Sequence, residues 1–200
     1  MKKFLLLSLF FTGLLIQAQT KGKVRVDFNL GYAIPQAGGG GLALSLEPKY
    51  NIADNMSVGL RFGTALLVKE VNVNESEETA EGEIGGNGSY LGTFEYNFNK
   101  GNSSFAPFVG AGVGYYSIAN IGFDSNTDPD TSSEELEASG KFGGMVRAGF
   151  DWGKFRLGLE YNIVPESDLK DFNNETIGST KNSYLGISLG FFLGGGKWGK

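Results

Sequence analysis

The stretch N-S-Y-L-G-I-S-L-G-F-F-L, which runs from Asn182 to Leu193, decides the fold that we predict for this chain. The large apolar residues on one side of this stretch are Leu185, Ile187, Leu189 and Phe191. The residues that alternate with them are Tyr184, Gly186, Ser188 and Gly190. Strict alternation with a period of two is typical of a β-strand whose two faces meet different environments.

Seven other stretches repeat this alternation, and in each of them the uniform face is the apolar one. The other face is mixed, with glycine, serine, asparagine and charged residues. A soluble barrel would bury its apolar face, whereas here the mixed face has the composition of an interior, as in barrels whose outside contacts lipid. The predicted strands are Lys23–Tyr32, Leu42–Ile52, Met56–Lys69, Ser89–Phe98, Phe105–Ser117, Gly140–Trp152, Phe155–Ile163 and Asn182–Leu193. We therefore predict an all-β fold, an eight-stranded antiparallel up-and-down transmembrane β-barrel.

The connections between the predicted strands alternate in length. Short turns are predicted at Ala53–Asn55, Asn99–Asn102 and Gly153, and a short glycine loop at Gly38–Gly41. Long connections are predicted at Glu70–Gly86, Ala119–Ala138 and Pro165–Lys181, and the first two of these are acidic. Outer-membrane barrels have short periplasmic turns and longer extracellular loops. The pattern thus predicts that both termini of the barrel are periplasmic.

Aromatic residues cluster near the ends of the predicted strands, as expected for girdles at the two membrane interfaces. The predicted outer girdle comprises Tyr32, Tyr90, Tyr115, Tyr161 and Tyr184. The predicted periplasmic girdle comprises Phe98, Phe105, Phe150, Trp152 and Phe155. Pro48 and Pro107 each remove a ladder hydrogen bond, but both lie near a short turn, where a bulge can absorb the loss.

The pattern Tyr184-x-Gly186-x-x-Leu189-x-Phe191 resembles the C-terminal insertion signal of bacterial outer-membrane β-barrels, which the barrel-assembly machinery reads. Residues 19–200 as a whole resemble the small eight-stranded outer-membrane barrels, the OmpA transmembrane domain and OmpX-like family. Members of this family often end at the last aromatic residue, whereas here Phe192 to Lys200 follow. The resemblance implies an integral protein of the Gram-negative cell envelope, with outer-membrane lipid, lipopolysaccharide and the assembly machinery as partners.

Length and composition indicate a single exported domain. The 200 residues include 32 Gly, 16 Phe and 8 Tyr, with no Cys and no His. Residues 1–18 have the charged start (Lys2, Lys3) and the short apolar core of a secretory signal peptide, and we expect cleavage before Gln19; a retained anchor is the alternative. Loss of those two lysines changes the net charge from −5 to −7. That acidity argues against nucleic acid as a partner.

Catalysis has little support in the sequence. Enzymes of this small barrel type rely on a catalytic His, which the chain lacks. A serine paired only with a carboxylate has no general base of the usual kind. No glycine motif follows a strand and opens a helix, so no nucleotide site is indicated. We predict a non-enzymatic protein without a cofactor.

The inner face of the predicted barrel collects charges of both signs in nearly equal number. The cations are Arg25, Lys49, Arg61, Lys141, Arg147 and Arg156, and the acids are Asp27, Glu47, Glu95, Asp151 and Glu160. They allow two interpretations, a structural polar plug or a gate of a selective pore. The interior of an eight-stranded barrel is just wide enough for side chains, which favours the plug. We expect one or more bidentate Arg–Glu contacts among these residues.

One acidic stretch has the spacing of a calcium-binding loop. Its candidate ligands are Asp124, Asn126, Asp128, Asp130 and Glu135. The glycine that such a loop needs at its sixth position is Pro129 here, and no helices are predicted beside it. Two interpretations remain, loose binding of the divalent cations that bridge lipopolysaccharide and a solvated acidic loop without a ligand.

The predicted function is envelope-structural, with acidic surface loops available for contact with an extracellular ligand that the sequence does not name. A narrow, porin-like channel for small solutes is the second hypothesis. A soluble secreted β-barrel that binds an apolar ligand is the third.

Overall fold

The computed structural model describes residues 21–36, 38–71, 81–99, 103–121, 139–170 and 176–195. The predicted signal peptide and the five calcium-loop candidates, from Asp124 to Glu135, lie outside these residues. The strands are β1 (Val24–Pro35), β2 (Gly40–Ala53), β3 (Met56–Val71), β4 (Glu81–Asn97), β5 (Phe105–Ile121), β6 (Ser139–Trp152), β7 (Phe155–Ile163), β8 (Ser167–Lys170), β9 (Thr176–Thr180) and β10 (Tyr184–Gly194). No helix among the described residues is long and apolar enough to cross a membrane.

Eight of these strands form a closed antiparallel barrel, which confirms the predicted fold. Each strand from β1 to β6 pairs with the next along the chain, and β10 closes the barrel between β7 and β1. Leu189 in the middle of β10 lies opposite Leu157 of β7 and Leu30 of β1. The strands β8 and β9 form a separate two-stranded sheet.

Alternation sends the apolar side chains outward, as predicted. In β7 every second residue is buried and every other one is exposed. Leu189, Val113 and Leu60 are 68%, 62% and 59% exposed, which would be unfavourable in water but suits a face that contacts lipid. Trp152 and Phe155, both of the predicted periplasmic girdle, are among the most exposed side chains of the described residues.

The strands β1 to β5 extend further than the sequence pattern indicated, and β2 begins at Gly40, inside the predicted glycine loop Gly38–Gly41. The prediction that Glu70–Gly86 is a loop is wrong at both ends, because β3 runs to Val71 and β4 begins at Glu81. The ladder between them includes the pairs Glu70–Gly82 and Val71–Glu81. Likewise β5 continues to Ile121, beyond the predicted loop start at Ala119. Glycines and charged residues hid the strand pattern here, but the ladder uses backbone groups and continues without apolar side chains.

The third long connection, predicted as the loop Pro165–Lys181, contains the hairpin formed by β8 and β9. Its base is fixed to the barrel by polar contacts. The backbone N–H of Val164 donates to Oγ of Ser183 at 3.1 Å, and Nδ2 of Asn182 donates to the carbonyl of Pro165 at 2.8 Å. The hairpin therefore starts from a defined point of the barrel rim.

The assignment of Tyr184 to the outer girdle is wrong. Its side chain is 2% exposed and points into the barrel, opposite Asn162 of β7 and Pro35 of β1. The alternation of β10 places Tyr184 on the inner face, and its position near a strand end does not override that geometry.

The two prolines behave differently from each other. Around Pro48 the ladder between β2 and β3 skips two pairs but keeps its register, and the register shift falls between Asn51 and Ala53 instead. Pro107 keeps its place in the ladder opposite Phe150, and its carbonyl accepts a hydrogen bond from the N–H of Phe98 at 2.7 Å. Both prolines lie in the part of their strand nearer to a short turn, where the rim of the barrel tolerates the loss of a ladder hydrogen bond.

Candidate functional site in the barrel lumen

The inner positions of five strands bring charged side chains together near the end of the barrel that carries the short turns, which we call the short-turn end. We define the charge cluster as Arg25, Asp27, Glu47, Lys49, Glu95, Arg147, Asp151 and Arg156. Its four cations and four carboxylates balance, and none of the eight residues is more than 8% exposed. Burial of unpaired charges would cost several kcal/mol each, so the balance is a condition for this lumen to exist.

Glu95 is the centre of the charge cluster. Its Oε1 lies 2.8 Å from a terminal nitrogen of Arg25, and its Oε2 lies 2.9 Å from Nζ of Lys49 and 3.0 Å from a terminal nitrogen of Arg147. Arg156 also donates to Oε2. One carboxylate thus contacts all four cations of the cluster.

Glu47 and Arg147 form the bidentate contact expected from the sequence. The two terminal nitrogens of Arg147 lie 2.5 and 2.8 Å from the two carboxylate oxygens of Glu47. Thr93 donates its hydroxyl to Oε1 of Glu47 at 2.5 Å. Parallel N–H···O contacts of this kind fix the orientation of both groups as well as their separation.

The two aspartates contact three of the same four cations. Asp27 lies 2.9 Å from Nε of Arg25, 2.7 Å from Nζ of Lys49 and 3.0 Å from a terminal nitrogen of Arg156. Asp151 lies 3.3 Å from both Arg25 and Arg156. The guanidinium of Arg156 also stacks 3.7 Å above the ring centre of Phe108, so this cation has an aromatic partner that its charge alone did not reveal.

Glycines on β5 make room for these long side chains. A Cβ added to Gly110 would lie 3.0 Å from Nε of Arg147 and 2.8 Å from the carbonyl oxygen of Phe94. The bare inner face of β5 is therefore a requirement of the charge cluster, because any larger residue at Gly110 would displace the Arg147 side chain.

Arg61 and Glu160 form a separate pair further along the lumen. A terminal nitrogen of Arg61 lies 2.5 Å from Oε1 of Glu160. Nδ2 of Asn162 donates to the same oxygen at 3.2 Å, and Tyr116 donates its hydroxyl to Oδ1 of Asn162 at 2.9 Å. The predicted inner charges thus divide into two groups. Lys141, the remaining predicted inner cation, is half-buried and belongs to neither group.

Apolar side chains fill the lumen beyond the Arg61–Glu160 pair, at the end that carries the long connections. One set of buried residues is Leu91, Tyr116, Ile118, Met145 and Val164. A second set is Ala33, Ala65, Leu67 and Tyr184, with Ala43 against it. Most of these residues lie on the mixed face of a predicted strand, which located them inside. Ala33, Ile118 and Val164 lie beyond the predicted strand ends, and the pattern gave no sign of an apolar layer.

The lumen is less tightly filled between the charge cluster and the Arg61–Glu160 pair, and we call this part of it the cavity. The inward residues Asn29, Ser45 and Ser188 are half-buried there rather than buried. Nδ2 of Asn29 donates to Oγ of Ser45 at 3.1 Å. The lumen is therefore not filled uniformly along its length.

The chemistry of the lumen is charge neutralisation. Each carboxylate of the charge cluster has a cation within 3.3 Å, so none is left as an uncompensated base. Among the described residues, no group of three or more His, Cys, Asp or Glu side chains is arranged to hold a metal ion.

Comparison with known proteins points in the same direction as the geometry. Residues 4–191 match the family described as outer membrane protein beta-barrel domain. Outer membrane protein W of Vibrio cholerae serotype O1 is 29% identical over 111 residues, which cover 54% of this chain and half the length of that relative.

Two solved structures from Pseudomonas aeruginosa share the fold. The outer membrane protein OprG superposes with a TM-score of 0.54 at 14% identity, over 90% of this chain and 99% of that one. The N-terminal β-barrel domain of OprF superposes with a TM-score of 0.50 at 16% identity, over 87% of this chain and 99% of that one. At these identities the likeness concerns the fold alone.

Proposed function

The chain belongs to the outer membrane protein beta-barrel domain family and is an integral outer-membrane barrel, and from this premise we propose that it is a non-enzymatic structural protein of the envelope whose lumen is closed to ions. The observation that carries the proposal is the charge cluster, in which four cations and four carboxylates neutralise one another at 8% exposure or less.

A closed lumen follows from the cost of opening the cluster. An ion that passes along the barrel axis has to separate charge-assisted contacts such as Arg147–Glu47, which are the strong class of hydrogen bond. Breaking this contact takes the bidentate partner from Glu47, and loss of a partner from a buried ion pair costs about 3–5 kcal/mol. The apolar layer at the other end of the lumen adds a second barrier, because ions there have no polar partner to replace their water.

Single-channel recording tests this proposal. We expect the refolded barrel, reconstituted in a planar lipid bilayer, to give no sustained conductance at moderate voltage. The positive control is a general porin reconstituted in the same lipid. Steady single-channel currents from the unaltered protein would contradict the structural function and support the channel.

The second candidate function, a narrow channel for small solutes, rests on the cavity. Asn29, Ser45 and Ser188 keep part of their surface free inside the lumen, as the lining of a solute path would. For this function the charge cluster and the Arg61–Glu160 pair have to open as gates on either side of the cavity. Currents that begin only above a threshold voltage or membrane tension would favour this candidate.

We also propose the orientation in the membrane, with the long connections extracellular and both termini periplasmic. The long connections at 72–80, 122–138 and 164–183 all leave from the same end of the barrel. They are then available for contact with lipopolysaccharide or an extracellular ligand, and β10 for recognition by the barrel-assembly machinery.

Limited proteolysis of intact cells checks this orientation. Trypsin added outside is expected to cut after Lys170 or Lys181, in the third long connection, and to spare Lys100 in a short turn. Lys181 is exposed, so burial does not protect it. In cells with a permeabilised outer membrane, Lys100 should become accessible, which serves as the control. Fragments that end at Lys100 from intact cells would reverse the orientation.

A further inference from the structure

Large aromatic side chains point inward at both ends of β10, Tyr184 at one end and Phe192 at the other. Gly186, Ser188 and Gly190 leave the inner face of β10 nearly bare, but Phe192 follows at the short-turn end and is 0% exposed. Its neighbour Phe191 points outward, where its ring stacks on Phe28 at a centroid distance of 5.1 Å. Two consecutive aromatic side chains therefore lie on opposite faces of the barrel wall.

Phe192 lies directly against the charge cluster. The centre of its ring is 4.7 Å from Cζ of Arg25, which belongs to the cluster, and 4.6 Å from Nζ of Lys154, which lies in the turn between β6 and β7. The ring packs on Ala106 of β5, which is also 0% exposed. The phenyl group thus covers the cluster from the short-turn end, with a cation near it on either side.

Contacts outside the main ladder hold this ring in place. The N–H of Phe192 donates to the carbonyl of Lys154 at 3.1 Å, and Nζ of Lys154 donates to the carbonyl of Gly194 at 2.7 Å. Gly194 and Gly195 follow with φ angles of +75° and +61°, which turn the chain towards β1. The N–H of Gly195 donates to the carbonyl of Val24 at 2.9 Å.

The close approach at this turn requires glycine. A Cβ at Gly194 would lie 2.5 Å from the carbonyl oxygen of Val24, and one at Gly195 would lie 2.7 Å from Cβ of Arg25. Both glycines also adopt the left-handed backbone conformation that other residues rarely adopt. Leu193 and Gly194 therefore stay in the ladder with β1, and Gly195 continues beside Arg25.

We propose that Phe192, Lys154 and the Gly194–Gly195 turn form a lid over the short-turn end of the lumen, which keeps water from the charge cluster. The ion pairs of the cluster gain their strength from a dry site, and water that reaches Arg25 from this end would weaken them. The lid acts in addition to the plug formed by the cluster itself. The ring is a side chain, so it can turn away from the charge cluster while the backbone pairing of Phe192 with Asp27 stays intact.

Thiol labelling tests the lid, because the chain has no cysteine of its own. In the variant Ala106→Cys the only thiol lies beneath the Phe192 ring. We expect iodoacetamide to label this thiol slowly in the folded, micelle-bound barrel. When Ala106→Cys is combined with Phe192→Ala, the labelling rate should rise about tenfold or more. The ring no longer has to move away before the reagent reaches the thiol.

Matched variants separate the lid from general loosening of the barrel. Phe191→Ala in the Ala106→Cys background removes a ring of the same size from the outer face and should leave the labelling rate unchanged. Lys154→Met removes the contact with Gly194 but keeps the side-chain volume, and it should raise the rate by a smaller factor than Phe192→Ala. Retained heat-modifiable gel mobility identifies the variants that have folded.

The outcomes decide the proposal in either direction. It is overturned if Phe192→Ala leaves the rate unchanged, if Phe191→Ala raises it as much, or if the single variant Ala106→Cys already labels as fast as the urea-unfolded protein. If Phe192→Ala does not fold, the rate of the Lys154→Met variant decides, and an unchanged rate there overturns the lid.

Discussion

Replacement of Glu95 with alanine is expected to lower the free energy of unfolding by about 3–5 kcal/mol, because the site is dry and the change leaves uncompensated cations. Glu95 is 0% exposed and contacts Arg25, Lys49, Arg147 and Arg156. Without it, four buried cations face three carboxylates. Urea unfolding in detergent micelles, followed by the gel mobility of the folded and unfolded bands, measures the effect.

Two comparisons show whether the charge is the cause. Glu160→Ala removes a carboxylate that contacts a single cation, Arg61, and that keeps 10% of its side-chain surface, so its cost should be smaller. In the double variant Glu95→Gln with Lys49→Met, three cations face three carboxylates again. We expect this double variant to lose less stability than the sum of its two single variants. Equal costs for Glu95→Ala and Glu160→Ala, or strict additivity in the double variant, would show that charge balance does not stabilise the lumen.

Replacement of Leu189 with arginine is expected to cost about 2–4 kcal/mol, because a cation then faces the hydrocarbon near the middle of the bilayer. Leu189 is 68% exposed on the outer face, in the middle of β10. Its outward neighbours, Leu30 and Leu157, offer no polar partner. Unfolding in lipid vesicles rather than micelles measures this effect, since a thick bilayer leaves the arginine less chance to reach water.

The matched change is one residue away. Ser188→Arg places the same side chain in the lumen, beside the half-buried Asn29 and Ser45, where we expect it to reach water and hydrogen-bond acceptors. Its cost should be well below that of Leu189→Arg. Ser188→Asn controls for overpacking, because Gly158 lies close to the Ser188 hydroxyl. If Ser188→Arg and Leu189→Arg cost the same while Ser188→Asn costs nothing, the assignment of inner and outer faces is wrong.

The inner and outer faces were predictable from the sequence because alternation is local. A residue's face depends only on its place within its own strand, so Leu189 and Glu95 could be assigned to opposite faces without knowledge of any neighbour. The same rule, applied strictly, would have placed Tyr184 inside. The error came from the position of Tyr184 near a strand end, where a tyrosine is also typical of a membrane interface.

The ends of the strands were less predictable than their middles. At Gly82, Gly85 and Gly86 there are few side chains to alternate, yet the backbone ladder of β4 continues through them. The hairpin of β8 and β9 gave no signal for a related reason, since strands of four and five residues are too short for a pattern to be recognised.

The partners within the lumen were not predictable, because they depend on the stagger of the strands around the closed barrel. Asp27 and Arg156 lie 129 residues apart and on strands that do not pair with each other. The sequence indicated which charges point inward and that they nearly balance. It did not indicate that eight of them form one cluster around Glu95, nor that Arg61 and Glu160 stand apart.

The placement of the charges also has a consequence for the order of assembly. No charged residue of the cluster lies on β10, which separates β7 from β1, and Gly190 occupies the register position between Arg156 and Asn29. The contact between Arg156 of β7 and Asp27 of β1 therefore forms only when both of these strands have paired with β10. Until that seam closes, Arg156 lacks Asp27, and such long-range contacts are reached slowly. The charges in the lumen are therefore fully neutralised only in a chain whose first and last barrel strands have paired.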